Sequence, residues 1–294
     1  MIVKVEGLKK KYKKDWVLKG IDITIDEPQI IALVGPNGSG KTTLMNCMTN
    51  LLTFNEGSVE ILGKPNTDPS LFYEISYLQD NRVLYANLTA YDHLKFICRV
   101  QKIPQSRIQE VAERVGMTNY LKKRVRSFSL GMKQHLLLAM VILNKPKLLI
   151  MDEPLNGLDP TSAINMRNIL LELYKEGTTI IISSHVLDEI DRLTNTIYFM
   201  KDGALLKESL TDLTVTHYEI TVSDGDTAKR VMEEESFFIK ANENGNLIFK
   251  ETDVPLQTVI DVLNRNGIAI DYIDNHKAGA EKRYRELFEE RASV

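Results

Sequence analysis

A junction near the start of the chain constrains its fold more than any other feature. Five apolar residues, Ile30–Val34, run straight into Gly35-Pro36-Asn37-Gly38-Ser39-Gly40-Lys41-Thr42-Thr43. The second stretch fits Gly, four residues, Gly-Lys-Ser/Thr, the pattern of a phosphate-binding loop. The apolar run reads as a buried strand, and the residues after Lys41 read as the start of a helix. Strand, loop and helix in that order are what such a loop needs. Its glycines let successive backbone N–H groups turn inward around phosphate oxygens. The helix N-terminus adds partial positive charge. Lys41 can reach β- and γ-phosphates, and the Thr42 hydroxyl can ligate Mg²⁺. A Gly-rich turn without function is the plain alternative; the strand before it and the helix after it weigh against that.

The rest of the composition sets limits. With 294 residues and 43% hydrophobic content, the chain can bury a sizeable core in one large or two smaller domains. A net charge of −3 supplies no global field for nucleic acid, and the basic runs 9–14 and 122–126 read as solvated faces. Cys47 and Cys98 form no CxxC pair, so reduced thiols in a cytoplasmic setting are expected. No charged-then-apolar leader opens the sequence. The longest apolar run, Leu136–Leu143, is far short of the ~20 residues that span a bilayer. If the protein acts on membranes, a separate subunit is expected to supply the membrane part.

Along the chain, strand-like and helix-like segments alternate to about residue 210. Val3–Val5 and Ile21–Ile25 alternate as half-exposed strands do, while Leu148–Met151 and Ile180–Ile182 are short continuous runs. The pattern predicts an α/β core. Between them, residues 88–145 read as helical: Thr89-Ala90-Tyr91-Asp92 resembles a capping box, and Leu94, Ile97 and Cys98 make one stripe. Ile108, Val111, Ala112 and Val115 make another, ended by Gly116. After about residue 212 the order β-α-β-β-α-β, with Asn244-Gly245 as a hairpin signal, is that of a small α+β, ferredoxin-like unit. In that reading Phe237–Lys240 and Ile268–Ile273 are strands.

Two further signals join the loop. Leu148–Met151 ends in Asp152 and Glu153, two carboxylates directly after a buried run. Asp152 suits a Mg²⁺ shell, and Glu153 suits a general base or an orienter of attacking water. One strand-end acid reads equally well as a solvated turn; a pair in a chain with a phosphate loop does not. Upstream, Ser129 reads as an N-cap with Gly131 behind it, which leaves a hydroxyl and free N–H groups at a helix start.

Taken in order, these stretches resemble the ATP-binding cassette (ABC) family over residues 1 to about 210. Gly35–Thr42 matches Walker A, Gln79 the Q-loop, Ser129–Gly131 the signature, Leu148–Glu153 Walker B, Leu158-Asp159 the D-loop and His185 the switch histidine. The resemblance implies a P-loop NTPase fold: a RecA-like core, an antiparallel β subdomain and an inserted helical subdomain at about 85–145. Residues 1–211 would form this nucleotide-binding domain, and 212–294 the small C-terminal domain. It also implies that Tyr12 stacks on adenine, with Trp16 a poorer match by spacing. Gln79 would reach Mg²⁺ and the attacking water, and its loop would sense a membrane subunit. His185 would bond the γ-phosphate and hold Glu153. Ser129, Gly131 and Asp159 would act across a subunit interface on the partner's ATP.

The signature departs from Leu-Ser-Gly-Gly-Gln. Leu130 and Met132 replace its first Gly and its Gln, and His135 replaces a later Arg. The departure at His135 puts an interface contact of that helix in doubt. The Ser-Leu-Gly-Met-Lys-Gln form is similar to ATPase subunits of bacterial drug, antibiotic and peptide exporters. The implied protein is an ATP- and Mg²⁺-dependent ATPase on the cytoplasmic face of the cell membrane. It would pair with a second ABC subunit and a transmembrane permease, and it would not bind nucleic acid. The alternative is an ABC-type switch on a non-membrane partner. Ribosome-acting members usually carry two cassettes and DNA-repair members a long coiled coil, and this chain has neither. Residues 212–294 are expected to stabilise the protein or its dimer rather than to sense a ligand.

Overall fold

The alternating and apolar runs of the sequence become two sheets in the first of two units. The computed structural model describes residues 1–79, 83–210, 216–237, 239–241, 245–277 and 279–288, and divides into Met1–Glu208 and Ser209–Val294. The sequence boundary at 211/212 lies outside the described residues, as does Asn244 of the hairpin signal.

The first unit begins with β1 (Val3–Tyr12) and β2 (Asp15–Ile25), an antiparallel pair. They are followed by β3 (Ile30–Val34), α1 (Lys41–Met48), β4 (Glu56–Ile61), β5 (Lys64–Pro65) and β6 (Ile75–Leu78). The helical segment comprises α2 (Ala90–Val100), α3 (Ser106–Arg114) and α4 (Leu130–Ile142). After it come β7 (Leu148–Met151), α5 (Pro160–Lys175), β8 (Thr179–Ser184), α6 (Leu187–Asp191), β9 (Thr196–Lys201) and β10 (Ala204–Ser209). One sheet has the order β2-β1-β4-β5; the other runs β10-β9-β3-β8-β7-β6. The chain is thus an α/β P-loop fold with an antiparallel sheet and a helical insertion.

Physical cause is visible in each part. β3, β7 and β8 are buried at every position, as strands in the middle of a parallel sheet must be. β1 and β2 alternate instead, putting Val3, Val5, Ile21, Ile23 and Ile25 on the face that joins the core. α2 starts on a complete capping box, in which the Thr89 hydroxyl accepts the Asp92 N–H and the Asp92 carboxylate accepts the Thr89 N–H. Gly116, at φ +70°, closes the turn after α3. Among the described residues no helix is long and apolar enough to cross a membrane.

The second unit contains β11 (Thr216–Val222), α7 (Gly225–Glu234), β12 (Lys240–Ala241), β13 (Leu247–Lys250), α8 (Leu256–Arg265), β14 (Ile270–Lys277) and α9 (Ala280–Phe288). Its antiparallel sheet has the order β12-β13-β11-β14, the split β-α-β arrangement. Ile220, Leu247 and Phe249 of the sheet bury against Val231, Val259 and Leu263 of the helices. Two strand limits differ from the sequence reading. Among the described residues β12 is Lys240–Ala241, and β14 starts two residues later than expected and runs on to Lys277. Pairing with β11 carries β14 through a polar stretch that hydrophobicity does not mark.

Candidate nucleotide site

The parallel register places the site. β3 and β7 both pair in parallel with β8, and β6 pairs in parallel with β7. The residues that follow these strands, Gly35, Gln79, Asp152 and His185, therefore leave the sheet at one edge. A cleft of about 830 Å³ opens there. The loop residues Asn37, Gly38 and Gly40 line it, as do Lys41, Thr42 and Thr43 from α1. Gln79, Asp152 and Glu153 line it too.

The loop fits the backbone demands of a phosphate cradle. Gly40, at φ +109°, is the residue before α1, a conformation open to glycine. At Gly35 a Cβ would stand 2.6 Å from the Met200 carbonyl oxygen and 2.9 Å from Ser39 Oγ. Lys41 is only 6% exposed, and its ammonium donates to the carbonyls of Gly35 (2.7 Å) and Pro36 (3.3 Å). Burial holds its pKa below the ordinary lysine value, opposed by the charges of Glu153 and Asp152.

The carboxylates are tightly held. The Thr42 hydroxyl donates to Asp152 Oδ2 at 2.6 Å and the Ser183 hydroxyl to Asp152 Oδ1 at 2.6 Å. The Glu153 N–H in turn donates to Ser183 Oγ at 2.9 Å. Glu153 Oε2 lies 2.7 Å from His185 Nδ1 and accepts the His185 N–H at 3.3 Å. Glu153 Oε1 lies 4.0 Å from the Lys41 ammonium. Glu153 itself adopts φ +49°, in the left-handed region. A hydroxyl from α1 and a carboxylate just after β7 are a hard-oxygen donor set that suits Mg²⁺.

Other expected residues lie apart from the cleft. Ser129 caps α4, its hydroxyl accepting the Met132 N–H at 3.3 Å. Asp159 caps α5, accepting from the N–H and hydroxyl of Ser162, and these bonds hold its carboxyl below the usual range. Gly131 packs against that turn: a Cβ there would lie 3.1 Å from Ser162 Oγ and 3.7 Å from Asp159 Oδ2. Ser129, Gly131 and Asp159 thus form a second group, none of whose members lines the cleft. Tyr12, at the end of β1, is 47% exposed with the Lys10 ammonium 5.4 Å from its ring centroid, and it too is absent from the lining. Trp16 lies beside it, paired across the strands with Lys11. His135 turns inward to the Tyr120 hydroxyl at 2.9 Å.

The motifs, their order and the fold converge on one family. The family description "ABC transporter" matches residues 18–156. A lantibiotic transport ATP-binding protein, SrtF of Streptococcus pyogenes, is 39% identical over 207 residues, covering 70% of this chain and 90% of that one. The chain belongs to the ABC transporter family. A bacitracin transport ATP-binding protein, BcrA of Enterococcus faecalis, is 31% identical over 296 residues, which is 97% of this ABC chain and 96% of its own. Among solved structures, an ATP-binding subunit of an ABC transporter superposes with a TM-score of 0.67 at 25% identity, covering 72% of this chain and 92% of that one. A cassette dimer bound to ADP and Pi gives 0.65 at 23% identity, covering 71% and 98%, and shares the fold.

Sequence reasoning passed over some residues at this site. Val17, Asn46 and Tyr77 line the cleft, and Ser183 bridges the Asp152 carboxylate and the Glu153 backbone N–H. The available signal for Ser183 was a hydroxyl directly after the apolar run Ile180–Ile182 of a buried strand.

Proposed function

We propose that this chain is the ATP-binding and ATP-hydrolysing subunit of a membrane exporter of a drug, antibiotic or peptide. The observation that carries the reading is the division of the site within one chain. Lys41, Thr42, Asp152 and Glu153 line the cleft, and His185 reaches it through its bond to Glu153. Ser129, Gly131 and Asp159 converge elsewhere, on the adjoining N-termini of α4 and α5. Two copies placed head to tail, or this chain with a second cassette, would set the Ser129 helix of one against the loop of the other. ATP then closes the pair and hydrolysis releases it. The names of the relatives, lantibiotic and bacitracin transport, favour export.

The residues divide the work. Loop N–H groups and Lys41 take the phosphates, with Lys41 leaving the Gly35 and Pro36 carbonyls for the ligand. Glu153 accepts a proton from the attacking water, and His185 fixes its carboxylate. Thr42, Asp152 and Gln79 would hold Mg²⁺, whose charge stabilises the phosphate oxygens. Tyr12 stacks on the base from the rim. Positioning and charge carry most of the rate in phosphoryl transfer.

A membrane subunit has a surface to meet. A groove of about 570 Å³ between the core and the helical segment is lined by Leu51, Phe72, Ile75, Phe96, Val100 and Met140. Leu51, Phe72 and Phe96 are 62%, 49% and 67% exposed, an apolar cluster of the kind that marks interaction sites. Tyr77 lines both this groove and the cleft, two residues before Gln79. A cytoplasmic segment of the permease seated there would press on the Gln79 loop. That contact would hold the chain at the cytoplasmic face of the membrane. Residues 212–294 stabilise the subunit or its pair.

Glu153→Gln tests the core of this reading. It keeps ATP binding and lowers turnover by roughly 10²–10⁴-fold. Unchanged steady-state hydrolysis would sink the catalytic assignment. Copurification of the full chain with an apolar multi-span protein tests the transport role, and a tight complex with ribosomes or DNA instead would reverse it.

A further inference from the structure

Ser183 lies on β8 and is fully buried. A buried hydroxyl must find partners, and this one finds both at the site. It donates to Asp152 Oδ1 and accepts from the Glu153 N–H. The polarity of this chain of bonds is fixed. The Glu153 amide can only donate, so the Ser183 oxygen accepts from it and the single Ser183 proton is left for Asp152.

We propose that Ser183 is a positioning residue that holds the backbone of Glu153 in its catalytic setting. The proposal rests on the reading of Glu153 as the catalytic carboxylate. Glu153 sits at φ +49°, in the left-handed region that is unfavourable for a non-glycine residue and that local contacts help to hold. His185 grips its carboxylate; Ser183 grips its amide. Without the second grip the peptide between Asp152 and Glu153 can rotate toward negative φ, which swings the carboxylate away from His185. The same hydroxyl ties that grip to Asp152, which Thr42 holds from the other oxygen. The orientation of Glu153 is therefore linked through one hydroxyl to the carboxylate assigned to the metal.

Ser183→Ala and Ser183→Thr in the full chain test this, with two readouts. The first is amide hydrogen exchange at Glu153 in nucleotide-free protein, followed by NMR. The second is steady-state ATP turnover. In Ser183→Ala the Glu153 amide should exchange about tenfold faster or more. Its kcat should fall about tenfold or more while KM for ATP stays within about twofold, because the phosphate loop is untouched. Ser183→Thr keeps the hydroxyl and should restore both. Unchanged exchange at Glu153 in Ser183→Ala overturns the proposal, as does unchanged kcat in that variant while Glu153→Gln is inactive. Equal losses in Ala and Thr variants of unchanged thermal midpoint overturn the role of the hydroxyl. Normal turnover in Glu153→Gln refutes the catalytic reading instead, and the exchange rate at Glu153 still decides whether Ser183 holds it.

Discussion

Gly35→Ala is a one-carbon perturbation whose effect can be worked from the structure. The added Cβ would stand 2.6 Å from the Met200 carbonyl oxygen and 2.9 Å from Ser39 Oγ, inside the 3.0 Å that real Cβ contacts respect. The hydroxyl of Ser39 can rotate away; the carbonyl cannot. Met200 is a buried residue of β9, which pairs with β3 through Val34 and Phe199, right beside the clash. The loop must move instead, and it carries the Gly35 and Pro36 carbonyls that hold Lys41. Overpacking of this kind costs about 1–3 kcal/mol. For a unit of this size that lowers the thermal midpoint by about 2–12 °C. Misplacing one charge-assisted phosphate contact costs about 1.5–3 kcal/mol more, which weakens nucleotide binding roughly tenfold to a hundredfold. Thermal unfolding and titration with a fluorescent ATP analogue measure the two effects. Gly116→Ala, away from the cleft, is the control: its Cβ meets nothing within 4 Å, so only the penalty of φ +70° applies. A Gly35→Ala protein with wild-type midpoint and affinity would refute the steric argument.

Two further outcomes are expected. Burial holds the His135 imidazole below its ordinary value of 6.5, against the opposing charge of Asp159. The unfolded chain thus binds the proton first, so stability is full above 6.5 and falls as the pH drops toward the folded value. Thermal midpoints at about pH 7.5 and 5.5 should fall further in the wild type than in His135→Gln; parallel falls would contradict the assignment. Thr89→Ala removes the hydroxyl half of the α2 capping box. It should destabilise the protein by about 1 kcal/mol in denaturant unfolding without changing nucleotide affinity.

Much of the fold was legible because its signals are local. A buried parallel strand must be apolar throughout, so Ile30–Val34, Leu148–Met151 and Ile180–Ile182 stand out. Caps are equally local, since Thr89 and Ser129 bond residues three positions away. Long-range partners left little trace. Ser183 gains its role only from strands β7 and β8 lying side by side, and Val17 reaches the cleft only through packing of the antiparallel sheet. The inward turn of His135 onto Tyr120 also depends on how α4 packs, and no spacing in the sequence marks it. The end of β14 was misplaced for a related reason, because pairing rather than hydrophobicity extends it.

The sequence alone determined that this chain carries a phosphate loop, two carboxylates at a strand end and a capped helix start, because each is written in adjacent residues. Which of these meet was decided by the tertiary structure. Parallel register carries the ends of β3, β7 and β8 to one edge, so that residues over a hundred positions apart, Thr42 and Asp152, come within 2.6 Å. The approach of the first turns of α4 and α5 sets Gly131 beside Asp159, apart from that edge. A chain cannot encode such distances locally; they follow from which surfaces must be buried together.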